Sequence, residues 1–145
     1  MTETTRINVA RLLLSGLVAG FVLFAITGVM NAVILSAELK SWMQGVGGLL
    51  HPPAPAASMG LWALMSLITG LVGVWIYVGV RPRYGAGPKT ALLAGGSLWI
   101  ACKLAVALDL IALGLMPMRI VEGQLFGGLV AVVAGVFVGA WLYKE

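Results

Sequence analysis

Five polar residues lie within or at the ends of otherwise apolar runs and are the first candidates for chemistry: Asn31, Lys103, Asp109, Glu122 and Gln124. Ionisable groups in such runs are costly to keep, and those that persist commonly pair, relay protons or meet a solute. If the runs are antiparallel helices, Asp109, Glu122 and Gln124 share a depth, Asn31 lies near them and Lys103 sits deeper. One reading is therefore an intramembrane polar cluster that binds a small solute or passes a proton. The other has Lys103 snorkelling or pairing with a carboxylate, and Asp109, Arg119 and Glu122 forming interfacial ion pairs. Lys103 and Asp109 fall on different faces of one helix, so a partner for Lys103 must come from another helix.

Other chemistries find little to work with. The chain has one histidine, His51, inside His51-Pro52-Pro53-Ala54-Pro55, and one cysteine, Cys102, inside an apolar run. Paired histidine ligation of haem and a histidine-based zinc site both need more ligands than that. No Ser/His/Asp or Cys/His arrangement can be assembled within the apolar runs. The expectation is no catalytic residue, no metal and no cofactor, in a protein that is not an enzyme.

Two further patterns are candidates for binding or packing. Arg81-Pro82-Arg83-Tyr84-Gly85-Ala86-Gly87-Pro88-Lys89-Thr90 combines prolines, glycines and three cations. Arg81, Arg83 and Lys89 would suit an anionic lipid headgroup, or simply form a basic turn on the cytoplasmic side. It is not a phosphate-binding P-loop, which needs Gly-Lys adjacency and a preceding strand. In the last apolar run Gly123, Gly127, Ala131, Gly135 and Gly139 recur every fourth residue. Small residues so spaced let helix backbones approach closely, either within one bundle or between copies in a homo-oligomer.

The elements that must position these residues follow from composition. Of 145 residues 61% are hydrophobic and 10% charged, against about 25% charged in ordinary soluble domains. So few charges cannot cover a soluble surface, so the solvent is lipid and the main partner the bilayer. The net charge of +4 is accounted for by basic residues flanking membrane spans, with no nucleic-acid partner required.

Four runs reach the about 20 residues needed to span a bilayer: approximately 9–35, 57–80, 90–113 and 120–143. They are continuously apolar, which excludes a transmembrane β-barrel. The first is too long for a cleavable signal core and is read as a retained span. The fold class is all-α, an integral membrane four-helix bundle in one domain, 1–145. Between the first two spans, Leu39, Trp42, Met43, Val46, Leu49 and Leu50 form an apolar stripe at helical spacing. This predicts a short interfacial helix over about 37–50 in the first outer connection. Orientation follows from Lys and Arg: Arg6, Arg11, Arg81, Arg83, Lys89 and Lys144 lie on one side, Lys40 and Arg119 on the other. Six against two places both termini in the cytoplasm.

The spans also echo one another. Gly73-Val-Trp75-Ile-Tyr77 aligns with Gly139-Ala-Trp141-Leu-Tyr143, and Leu13-Leu14-Ser15-Gly16 with Leu92-Leu93-Ala94-Gly95. Two repeated helical hairpins and coincidence both fit so short a match. The basic start of the first span, the middle turn Arg-Pro-Arg-Tyr-Gly-Ala-Gly-Pro-Lys-Thr-Ala and the Trp-Leu-Tyr-Lys-Glu ending resemble a family of small uncharacterised bacterial four-span membrane proteins. The resemblance covers most of the chain and is most specific at the turn. It implies four helices and a bacterial inner membrane, and carries over no activity or catalytic residue.

The function expected is structural or accessory, packing against itself or within a larger membrane complex. The alternative is a small-solute or proton transporter or channel using the Lys/Asp/Glu cluster, as an oligomer.

Overall fold

The protein is described by a computed structural model over residues 7–143, so Arg6 and Lys144 of the charge count lie outside the described residues. The described residues hold no strand, and the fold is an all-α four-helix bundle. Helix α1 spans Val9–Val29 and runs into a π-helical turn, Met30–Ile34; α2 is Ser36–Val46 and α3 Pro55–Tyr84. Helix α4, Pro88–Trp99, continues through a second π turn, Ile100–Leu104, into α5, Ala105–Ala112; α6 is Met118–Leu142. Four stretches are long and apolar enough to cross a membrane: Val9–Ile34, Pro55–Tyr84, Pro88–Ala112 and Met118–Leu142. This is a multi-pass membrane protein.

Local chemistry sets the helix ends. Asn8 caps α1, its side-chain oxygen accepting the Arg11 N–H at 3.1 Å and satisfying one orphan donor of the first turn. Helices α3 and α4 open on Pro55 and Pro88, where a proline loses no helical hydrogen bond. Helix α3 outruns its expected end near Val80 and continues through Pro82 to Tyr84. Its final turn closes by the Gly85 N–H donating to the Arg81 carbonyl at 2.8 Å. Gly85 then adopts φ +81° and Gly87 φ +146°, which L side chains rarely reach. Helix α2 stops at Val46, short of the expected 50, ahead of Gly47 and Gly48.

The four spans pack as a rhombus. Helix α1 touches α3 and α6, α4 touches α3 and α6, and α3 meets α6 across the short diagonal, while α1 and α4 do not touch. Ala19, Val74, Ala131 and Val132 are fully buried, with Leu23, Leu98 and Val136 almost so. Glycines set the separations. A Cβ on Gly20 would stand 2.5 Å from the Leu67 Cα, and one on Gly70 would stand 2.5 Å from the Gly20 Cα. Backbone therefore lies on backbone where α1 crosses α3, the geometry small residues permit when lipid supplies no hydrophobic drive between helices. The hairpin echo has a structural counterpart, since Gly16 packs on Leu71 and Gly95 on Val133, each within its own hairpin. It stops at the π turns, which sit late in the first span and midway through the third.

Packing is uneven along the bundle. At the end bearing the termini and the α3–α4 turn all four spans interlock. Toward the α2 end α3 contacts neither α5 nor the second π turn, and no residue from 55 to 65 is buried. In α5 only Ala107 is buried. The bundle is closed at one end, and at the other α3 and α5 stand apart and leave a cleft between them.

Candidate functional site

The glycine stripe is occupied within the chain. Added Cβ atoms would meet Leu35 at Gly123, Met30 at Gly127, the Ala19 carbonyl at Gly135 and Ala19 at Gly139, while Ala131 is fully buried. The stripe of α6 is the seat of α1 and its π turn. The faces left open toward lipid are others, including Phe126, Val130, Phe137 and Trp141.

The basic turn is built from inside. The Tyr77 hydroxyl accepts the Gly87 N–H at 3.4 Å. Thr90, almost fully buried, donates its hydroxyl to the Gly85 carbonyl at 2.7 Å. Arg81 is half-buried, with its guanidinium 6.0 Å from the Tyr143 ring centre. Arg83 stands over Tyr84 and is exposed, as is Lys89. The three cations thus divide: Arg81 ties the end of α3 to that of α6, and Arg83 and Lys89 face outward.

The five polar candidates divide too. Asp109 lies in the last turn of α5 and Glu122 in the first of α6, both exposed, with Arg119 exposed nearby. Asn31 and Gln124 are half-buried. Among the described residues no ion pair joins Lys103, Asp109, Arg119 or Glu122. The expected cluster resolves into a rim of charge at the α2 end and one lysine well beneath it.

That lysine occupies an unusual place. Lys103 belongs to the second π turn and Asn31 to the first. Both turns sit against the Gly127-Gly128 pair of α6, Met30 over Gly127 and the Lys103 stem over Gly128. The stem's Cγ, Cδ and Cε lie 3.4, 3.5 and 3.8 Å from where a Gly128 Cβ would be, so the ammonium stays at the level of Gly128. At 1.5 Å per residue that is about 15 Å along α6 from Met118, half of an about 30 Å hydrocarbon core. Lys103 therefore does not snorkel to a headgroup. A lone charge there costs roughly 2.5–3.5 kcal/mol on insertion scales. The π winding supplies room for the side chain, because the extra residue widens the turn, and such turns recur at functional sites.

Three further polar side chains stand outside the sequence candidates. The Trp99 indole N–H crosses to the Leu125 carbonyl at 3.0 Å, pinning α4 to α6 one turn before the lysine. Trp99→Phe is expected to lower stability by about 1 kcal/mol, measured by unfolding in mixed micelles. The Thr27 hydroxyl and one Glu38 carboxylate oxygen are buried without a hydrogen-bond partner. Only Thr27 could have been suspected, four residues before Asn31.

Fold and site together define a multi-pass helical bundle closed at its termini end, with a single lysine at the base of an open cleft. No family model, curated protein or solved structure matches the chain.

Proposed function

We propose that this chain is a structural or accessory protein of a bacterial inner membrane, acting through packing and partnership, with both termini in the cytoplasm. The observation that carries the reading is the closed half of the bundle. Gly16 and Gly20 on Gly70 and Leu67, Gly135 and Gly139 on α1, and Gly73 on Val136 bring helices together without intervening space, which supports a scaffold better than a conduit. The six-to-two division of Lys and Arg supports the orientation. Exposed Arg83 and Lys89 then face anionic headgroups of the inner leaflet.

A second reading, a transporter or channel for a small solute or protons, is favoured by the opening at the α2 end and by Lys103 at its base. Flux across liposomes holding the purified protein separates the two. On the accessory reading, wild type, Lys103→Met and Asp109→Asn all match empty liposomes for protons and for small anions. Flux that falls on either substitution would overturn it in favour of transport.

A further inference from the structure

Among the described residues the charge on Lys103 has no counter-charge. Glu38, Asp109 and Glu122 form no ion pair with it, and Asp109 and Glu122 lie toward the α2 end, well above the level of Gly128. A headgroup phosphate is equally remote, because the lysine stem is held against Gly128. Yet Lys103 is only half-buried, and its π turn has no contact with α3, so its surroundings open into the cleft.

The two arms of that cleft are apolar. Along α3 the exposed side chains include Met59, Trp62 and Met65; one and two turns beyond Lys103, on its own face of the helix, stand Ala107, buried, and Leu110, half-buried. A hydrated solute would leave its water among these side chains and meet one cation. An occupant that covers the apolar arms and delivers a single carboxylate at mid-membrane depth fits both features. A second copy of this chain lying parallel cannot do so, since its described spans hold no acid at that depth.

We propose that the cleft between α3 and α5 receives a membrane-spanning helix of a partner protein, whose mid-span Asp or Glu pairs with Lys103. The proposal rests on the accessory reading and names the chemistry of the partner. The carboxylate completes an ion pair where water is scarce and little screening occurs.

The test uses the full chain in liposomes with synthetic spanning peptides of about 23 Leu and Ala residues. The peptides carry a central Asp, a central Asn, or an Asp two turns from the centre. Association is read by energy transfer, and independently by disulfide capture at exposed Cys102 from a cysteine beside the peptide's polar residue. The expected result is about tenfold tighter association of the central-Asp peptide than of the other two, a gap of 1.4 kcal/mol. It should be lost in Lys103→Met and retained in Lys103→Arg, both checked for unchanged helicity. Equal association of the Asp and Asn peptides overturns the proposal, as does an Asp preference that survives Lys103→Met. Competition by dodecanoate that depends on Lys103, without any peptide preference, would overturn it in favour of a free amphiphile. Flux in the same liposomes tells the two failures apart. Lys103-dependent flux removes the accessory reading, whereas no flux and no Asp preference removes only the docked helix.

Discussion

Gly70→Ala should lower the stability of the purified protein by about 2–3 kcal/mol or prevent its folding, the range for overpacking a tight interior. The methyl group would land on Gly20 of α1, where the contact is backbone and no side chain can turn aside. Relief requires the two helices to separate, and that separation would also loosen the seats of Gly135 and Gly139 on Ala19 and Ser15. Gly79→Ala, on the same helix with open space around it, should be neutral or stabilising by up to about 1 kcal/mol from helix propensity. Unfolding in mixed micelles, scored by helicity, measures both. Equal effects of the two substitutions would mean that α1 and α3 do not meet backbone to backbone.

Lys103→Met should act in the opposite direction and stabilise the isolated protein by about 2 kcal/mol, somewhat less than the insertion cost of a central lysine. Methionine keeps the length of the stem that lies over Gly128 and removes a charge that none of the described residues offsets. Had Lys103 been paired with a carboxylate, as one reading of the sequence has it, the same substitution would strand the acid and destabilise by several kcal/mol. The sign of the change therefore distinguishes an unpaired lysine from a paired one. A stabilising result would also show a residue that costs the isolated fold free energy, as binding residues often do.

The parts of the fold that sequence discloses are those set by hydrophobic length. Four apolar runs give four spans, and Pro55, Pro88 and Pro117 begin helices because a proline there gives up no hydrogen bond. The spacing of Gly123, Gly127, Ala131, Gly135 and Gly139 discloses a packing face. It does not disclose whether that face meets the chain itself or a copy, since both would select small residues alike. The π turns are not disclosed: each holds a polar residue of its span, Asn31 in Met30–Ile34 and Lys103 in Ile100–Leu104, but a polar residue in an apolar run does not specify an extra residue in the turn.

The site was legible only in its members. Counting residues from the span ends puts Asp109, Glu122 and Gln124 at one level, and rotation about the helix axes decides which of them face inward. That rotation depends on side-chain packing and on the π turns, and it leaves Asp109 and Glu122 exposed while Lys103 lies against Gly128. Trp99 reads in sequence as one more aromatic among apolar neighbours. Its bond to the Leu125 carbonyl exists because α6 comes close there, a long-range fact that no local pattern encodes.

The apolar part of helix α3 is too long to stand upright across a hydrocarbon core. Residues 55–80 of it extend about 39 Å at 1.5 Å per residue, against an about 30 Å hydrocarbon thickness. Such mismatch is relieved by tilting or by local deformation of the lipid. With its lower part fixed to α1 at Gly16 and Gly20, tilting moves mainly the Pro55 end, the arm that faces α5. The angle between these arms is thereby coupled to bilayer thickness, so lipids with longer or shorter chains would alter the grip on whatever lies between them without changing a single residue.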